Sequence, residues 1–346
     1  MKVMIQIPCL NEEENLPATL ADLPTAIDGV DRIETLVIDD GSTDRTVEVA
    51  LQCGVDHIVK LPANKGLATG FQAGLDACLK LGADIVVNTD ADNQYFGGDI
   101  DKLVQPILDG EAQMVVGDRD VAAIDHFSPS KKTLQKVGSW VVRRLSDTDI
   151  TDATSGFRAY SREAALQLLV VDNFTYTLES LIQAGKTRVA LSEVEVATNA
   201  KTRESRLFGS TSSYVRRNGL AILRIYARYE PLKVFFTLGA ITFILAMASW
   251  MPFLLDWIVN GDRDGNIQSL LLGAVLFIVS MQLFALGIIG DLLAGQRVMT
   301  QRVFERVRRV ELTLGVEPTH LLPDERDAGD GESGADGASD RDRTTV

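Results

Sequence analysis

The chain has 346 residues, 46% of them apolar, and a formal net charge of −14, which is material for one large or two modest domains. An acidic balance with no basic patch in the first 230 residues excludes an ordinary nucleic-acid binder. Arg outnumbers Lys 23 to 11, and acidic, Lys-poor surfaces hold water at high salt, so the composition fits a halophile as well as an ordinary acidic protein.

The N-terminal run MKVMIQIPCL is too short for a signal peptide and is interrupted by Pro8, so it reads as a first strand. Further strands are expected at VMIQI (3–7), ETLVID (34–39), HIVKL (57–61), DIVVNT (84–89) and AQMVVG (112–117). Between them EENLPATLADL, STDRTVEVALQC, GLATGFQAGLDACLKL and GDIDKLVQPILDG carry apolar residues at helical spacing. This alternation predicts an α/β domain with a parallel sheet wrapped by helices. Ligands of such sheets bind at the carboxyl ends of the strands. There the sequence places Asn11-Glu12, Asp39-Asp40-Gly41-Ser42, Asp90-Ala91-Asp92 and Asp118-Arg119. The three cysteines, Cys9, Cys53 and Cys78, have no metal-ligand spacing and point to reduced thiols in the cytosol.

Residues 125–160 are less regular: SPSKKTLQKVGSWVVRRL reads as a basic amphipathic helix and TDATSGFRAY as a loop into a short strand. Two helical segments and the strand ALSEVEV follow before the basic loop NAKTRESRLF. A basic juxtamembrane helix is expected over 213–231. Val234–Leu255 and Ile267–Gly290 are uncharged runs of 22 and 24 residues, each long enough as a helix to cross a bilayer core of about 30 Å. The flanks 214–233 and 297–309 are Arg-rich, whereas the loop 256–266 is acidic. The positive-inside rule then puts the soluble domain and both termini in the cytoplasm. A basic interfacial helix over 293–315 is expected to attract lipid headgroups. Residues 323–346 read as a disordered acidic tail. Trp250 and Trp257 read as an aromatic belt.

Asp90, Asp92 and Gln94 stand at alternate positions where a strand ends. Their hard oxygens suit Mg²⁺ or Mn²⁺ and not zinc, with diphosphate completing the shell. The residues alone leave a second reading open, an acidic turn capping the next helix. In VIDDGSTDRT an apolar strand runs into two Asp and a Gly turn, and Asp40 is placed to accept a hydrogen bond from a base ring. Neither GxGxxG nor GxxxxGK[ST] is present, which excludes the dinucleotide and P-loop fingerprints.

The segments IPCLNEEENL, VIDDGSTDRT, NKGLATGFQAGL, NTDADNQY, VVGDRD and DATSGFRAY, in this order and spacing, resemble family 2 glycosyltransferases of the GT-A fold, a Rossmann-like mixed sheet flanked by helices. Within that family the chain is similar to the dolichyl-phosphate and polyprenyl-phosphate hexosyltransferases. The resemblance covers residues 1 to about 210 and extends to the two-helix transmembrane hairpin. It implies a cytosolic catalytic domain over 1–212. It also implies an inverting, metal-dependent transfer of glucose or mannose from UDP-glucose or GDP-mannose to dolichyl or polyprenyl phosphate, supplying protein N-glycosylation. Pro8, Leu10, Glu12, Ile38, Asp40, Asp90, Ala91, Asp92, Arg119 and Arg206 are implied to bind the nucleotide sugar. Asp90, Asp92 and Gln94 are implied metal ligands, and Arg119, Lys132 and Lys136 are implied to receive the acceptor phosphate. Asp92, Arg119 and Asp152 are the implied catalytic residues, Asp152 as either a base or an orienting group. The loop TRESRL, with Arg203 and Arg206, lacks the family's Gly and is shorter, and Asp118 stands where Ser is commoner. A homo-oligomer is left open. The competing readings are extension of a lipid-linked oligosaccharide, for which Asp152 or Glu179 would have to act as a base, and a non-catalytic nucleotide-sugar-binding membrane protein.

Overall fold

A computed structural model describes residues 1–119, 148–170, 176–199, 227–260 and 266–323, together with Arg143, Ser146 and Arg224. Five parallel strands, β1 (Lys2–Cys9), β2 (Arg32–Asp39), β3 (His57–Lys60), β4 (Ile85–Asn88) and β5 (Met114–Asp118), alternate with helices α1 (Leu16–Ala21), α2 (Thr46–Gln52), α3 (Leu67–Lys80) and α4 (Ile100–Leu108). Then come β6 (Arg158–Ser161), α5 (Arg162–Gln167), α6 (Tyr176–Thr187) and β7 (Leu191–Glu195). The strand order is β3-β2-β1-β4-β6-β5-β7. The sheet is mixed, not wholly parallel: β6 runs antiparallel between β4 and β5. That antiparallel strand delivers the turn before Arg158 to the same end of the sheet as the carboxyl ends of β4 and β5.

Alternation along the strands builds two cores, because successive side chains point to opposite faces. Met4, Leu36, Ile38, Val86 and Met114 face α3, α5 and α6. Val3, Ile5, Val37, Val87 and Val115 face α4 and the α1–α2 side. Helix α3 lies close on the sheet because Gly74 has no side chain; a Cβ there would come within 2.6 Å of Gln6 Oε1 and 2.7 Å of Ile38.

Two long helices complete the chain, α7 (Pro231–Asn260) and α8 (Ile267–Thr313). Only 11% and 17% of their most apolar windows is buried, so these are not core helices of a soluble fold; their length and exposed apolar surface suit a bilayer. They pack on each other through small residues and rings. Ser280 donates to the Gly239 carbonyl at 2.9 Å, and Phe236 and Phe284 lie 5.0 Å apart. Trp250 is part of this seam: its indole N–H donates to the Leu270 carbonyl at 3.1 Å, and its ring meets Phe277. That is a tie between helices, unlike the belt position read from sequence.

The apolar run 267–290 and the basic stretch 293–315 are not separate elements. They form one helix of 47 residues, because the junction holds no proline and only two glycines, Gly290 and Gly295, each costing about 1 kcal/mol in a helix. Its basic part docks on the catalytic domain. Arg308 donates to the carbonyls of Ala165 and Leu168, both at 3.1 Å, capping α5. Arg309 pairs with Glu163, and Arg297 with Glu179 at 3.0 Å. These arginines, expected at lipid headgroups, bind protein; Arg302 and Arg306 remain exposed. Beyond α8 the chain returns along the edge strand β3. Lys60 N–H donates to His320 O at 3.0 Å and Leu322 N–H to Ile58 O at 2.8 Å, covering an edge otherwise open to pairing. The tail from residue 324 and most of 213–231 lie outside the described residues.

Candidate active site

Four strand ends and one turn meet at the carboxyl edge of the sheet. At the end of β1, Asn11 adopts a left-handed conformation, φ 55°, and ties β1 to β2: its N–H donates to Ser42 Oγ at 2.9 Å and its Oδ1 accepts from Thr43 N–H at 2.8 Å. Glu12 is buried, its N–H bonded to Thr46 Oγ1 and its Oε2 to the Asn15 amide, both at 2.9 Å. Leu10 stands at the rim, 37% exposed.

At the end of β2, Asp40 accepts from the N–H groups of Lys65 at 2.7 Å and Gly66 at 2.8 Å. It therefore fixes the loop that opens α3, and a base N–H would share an oxygen already engaged. Gly41 makes this possible with φ 76° and a Cβ position 2.6 Å from the Ala63–Asn64 backbone. Ile38 departs from the sequence expectation. Its side chain is fully buried beneath α3, so it shapes the pocket from behind and offers no surface to a ligand. Pro8, its cross-strand partner, is buried likewise.

At the end of β4 the acidic rung is assembled by contacts the sequence did not reveal. Asp92 Oδ2 accepts from the Gln94 amide at 2.7 Å, and its Oδ1 from Gln94 N–H at 3.3 Å. Asp90 packs against the turn at Gly156, where an added Cβ would come within 3.0 Å of its carboxylate. That turn is clamped on both sides: Gly156 N–H donates to Tyr95 Oη at 2.9 Å, and Asn88 Nδ2 donates to Gly156 O at 2.8 Å and to Tyr176 Oη at 2.9 Å. Arg158, fully buried, donates to the carbonyls of Ser155, Ala153 and Thr177 and to Ser180 Oγ at 2.7–2.9 Å. Ala91 contributes backbone only, its carbonyl accepting from Thr19. Asn88, Tyr95, Gly156, Arg158 and Tyr176 were missed as site residues; the polar Asn at an apolar strand's end and the Arg inside FRAY were the available signals.

Burial and then the neighbouring Asp92 charge push the Asp90 carboxyl up to about 7, although Arg119 and Arg158 pull the other way. Two neighbouring carboxylates that repel fit a hard divalent cation, while Gln94 here turns its amide N–H, not its oxygen, to Asp92. Among the described residues no group of three or more His, Cys, Asp or Glu forms a metal cluster, so such an ion would draw further ligands from outside the protein, as Mg²⁺ and Mn²⁺ do.

Past β5, Arg119 takes Asp152 in a two-bond fork, Nε to Oδ2 at 2.6 Å and Nη2 to Oδ1 at 3.0 Å, and also reaches Thr154 Oγ1 at 3.0 Å. Its guanidinium lies 5.8 Å from the Tyr95 ring centre. Asp152 is 3% exposed. Burial raises its carboxyl, but hydrogen bonds and charge from Arg119 outweigh this and hold it below the usual carboxylate range. Lys132, Lys136, Arg203 and Arg206 lie outside the described residues.

Residues 4–169 match the model of Glycosyl transferase family 2, and residues 230–295 the GtrB C-terminal hairpin. An uncharacterized glycosyltransferase of Mycobacterium tuberculosis is 34% identical over 210 residues, 60% of this chain and 90% of that one. The chain belongs to glycosyltransferase family 2. An undecaprenyl-phosphate mannosyltransferase of Micrococcus luteus is 29% identical over 248 residues, 67% of this chain and 98% of the relative. The family fold is seen in a crystal structure of Mycobacterium tuberculosis glucosyl-3-phosphoglycerate synthase with Mn²⁺, UDP and phosphoglyceric acid. It aligns with a TM-score of 0.50 at 21% identity, covering 64% of this chain and 78% of that one. The glycosyltransferase domain thus carries the GT-A fold, with the paired apolar helices appended to it.

Proposed function

We propose that this glycosyltransferase moves a hexose from a nucleotide sugar, UDP-glucose or GDP-mannose, to a polyprenyl phosphate at the cytosolic face of the membrane. One observation carries the choice of acceptor: neither candidate base is free. Asp152 is held by Arg119 with its carboxyl lowered, and Glu179 is 1% exposed and paired with Arg297. A hydroxyl acceptor needs a base to take its proton; a phosphate monoester is already anionic near neutral pH. The lipid-phosphate mannosyltransferase among the relatives supports the same acceptor, as does a hairpin that keeps the domain at the bilayer.

In this reaction an acceptor phosphate oxygen bonds to the anomeric carbon while the bond from that carbon to the diphosphate oxygen breaks. The electron pair leaves with the nucleoside diphosphate, and one in-line displacement inverts the anomeric centre. Asp90, Asp92 and Gln94 would hold Mg²⁺ or Mn²⁺, which neutralises diphosphate charge when bound; the Mn²⁺ and UDP of the glucosyl-3-phosphoglycerate synthase crystal support a divalent ion on this fold. Arg119 orients Asp152 and has its Nη1 donors to offer an anion. Lys132 and Lys136, implied for the acceptor phosphate, and Arg206, implied for the nucleotide sugar, are further cations proposed for this reaction. The Arg-rich flanks support a cytoplasmic catalytic domain and termini. The acidic, Lys-poor composition supports a halophilic archaeon and a lipid-linked sugar destined for protein N-glycosylation.

The test is incubation of membranes containing the protein with radiolabelled nucleotide sugars, dolichyl phosphate and Mn²⁺ or Mg²⁺. The expected product is a mild-acid-labile lipid-linked monosaccharide. Label appearing only on an added lipid-linked oligosaccharide would overturn the acceptor, and metal-dependent nucleotide binding without any turnover would overturn catalysis.

A further inference from the structure

Glu179 lies in the first turns of α6 and is 1% exposed. A buried carboxylate is stable only with partners, and two of its partners come from the membrane-attached part of the chain. Arg297 of α8 reaches it at 3.0 Å and Arg228 at 3.9 Å. The Arg297 guanidinium also lies over the Tyr229 ring, 4.9 Å from its centre. Arg297 is seven residues past Gly290, the end of the uncharged run, about 10 Å along the helix. The ion pair therefore joins the catalytic domain to the hairpin just outside the bilayer.

The same N-terminal end of α6 reaches the acidic rung. Tyr176, one turn before Glu179, stacks on Phe71 with centroids 4.2 Å apart, and its hydroxyl accepts from Asn88 Nδ2 at 2.9 Å. The same hydroxyl lies 2.8 Å from the position of a Cβ at Gly156, and the Asp90 carboxylate lies 3.0 Å from that point. Arg158 adds two further ties to α6, to Thr177 O at 2.7 Å and Ser180 Oγ at 2.9 Å. The turn beside Asp90 is thus fastened to α6, and α6 to the hairpin. Surface docking alone would be served by exposed pairs such as Arg309–Glu163; it does not require a charge buried on the helix that backs the site.

We propose that Glu179 is a positioning residue: by taking Arg297 it seats α6, and α6, through Tyr176 and Arg158, holds the Gly156 turn against Asp90 only while the hairpin is docked. The kinetic consequence rests on the hexosyl transfer proposed above; the mechanical link does not.

The experiment uses the full chain in lipid nanodiscs, comparing wild type, Arg297→Ala and Arg297→Lys by amide hydrogen exchange and steady-state kinetics. In Arg297→Ala, exchange at 176–183 and at 155–158 rises at least about tenfold over wild type, because those stretches lose a tie and open locally. With it kcat falls about tenfold or more while the nucleotide-sugar KM stays within about twofold, as misplacement of reacting groups demands. Arg297→Lys, which keeps the charge but loses the planar guanidinium over Tyr229, recovers part of both losses. If Arg297→Ala does not fold, Glu179→Gln takes its place, since it removes the buried carboxylate's charge and leaves behind only the partly exposed Arg297 guanidinium, and the same two stretches loosen. Unchanged exchange at 155–158 overturns the proposal, as does loosening spread evenly over the sheet. A wild type inactive on polyprenyl phosphate sinks the proposed function, and the exchange comparison still decides this link.

Discussion

Arg119 holds Asp152 through two parallel hydrogen bonds, 2.6 Å and 3.0 Å, at the mouth of β5. Arg–carboxylate forks are strong and geometrically specific, and this one lowers the Asp152 carboxyl, which makes it a weak base at neutral pH. In the proposed reaction Asp152 acts by aiming Arg119. Asp152→Ala is expected to lower kcat/KM for transfer about 10²-fold, the cost of a misplaced catalytic group, with the shape of the pH–rate profile unchanged. A carboxylate acting as base would instead take one limb of that profile away with it. Rates of both enzymes between pH 5 and 9, about two units either side of neutrality, decide the matter.

The acidic rung leads to a second expectation. Asp92 is held by Gln94 and raises the Asp90 carboxyl by its charge, so the three groups are coupled, and the two carboxylates are the proposed core of the metal site. Asp92→Ala is expected to leave less than about 1% of transfer activity, since Lewis-acid neutralisation of a departing diphosphate contributes several kcal/mol. Chelation of wild type with EDTA has the same effect, reversed by Mn²⁺ or Mg²⁺. The check is radiolabelled sugar transfer alongside calorimetric titration with Mn²⁺. Full activity of the variant in EDTA would remove the metal from the reaction.

The strands were legible because their apolar residues alternate and each ends in a polar cluster; β1, β2 and β4 fall where VMIQI, ETLVID and DIVVNT placed them. That Asp40, Asp90, Asp92 and Arg119 stand at one edge of the sheet followed from strand ends pointing the same way. Ile38 was misread although period two already sets it with Leu36 on the α3 face. The fork between Arg119 and Asp152 joins residues 33 apart across two strand ends, and the antiparallel insertion of β6 that creates it has no local signature. The docking arginines were hidden for a different reason. A basic helix after an apolar run looks the same whether it meets lipid headgroups or protein carboxylates, and only the fold brings Glu163 and Glu179 to α8.

Glu34 gives the protein a predictable acid sensitivity. It is 2% exposed on β2 and takes Lys2 at 2.6 Å, Arg32 at 2.5 Å and His57 at 2.8 Å. Burial raises its carboxyl, but the bonds from Lys2 and His57 prevail and hold it below its ordinary value. A depressed folded-state pKa stabilises the fold above the unfolded value and is lost as pH falls through the folded one. The melting temperature of wild type is expected to fall more steeply than that of Glu34→Gln between about pH 5 and 3, and the two are parallel at higher pH. Differential scanning calorimetry of both proteins across this range is the check; parallel curves throughout would deny Glu34 the role.

The hairpin is held by contact and not by the hydrophobic effect, because lipid tails are as apolar as the helices. Its tightest point is Gly273, where a Cβ would collide with the Trp250 indole, whose N–H donates to the Leu270 carbonyl one turn away. Gly273→Val forces that ring out, breaks the bond and separates α7 from α8. Overpacking of this kind costs about 1–3 kcal/mol, and α8 carries Arg297 and Arg308 to the catalytic domain, so the loss reaches beyond the bilayer. The variant is expected to melt several degrees lower in detergent and to lose Trp250 fluorescence intensity or shift it to the red. Trp257, 47% exposed on the outer surface of α7, makes no such tie, and Trp257→Ala is expected to keep transfer within about twofold of wild type, the range of an ordinary surface change. Thermal shift and tryptophan emission on the two variants separate the seam from the surface.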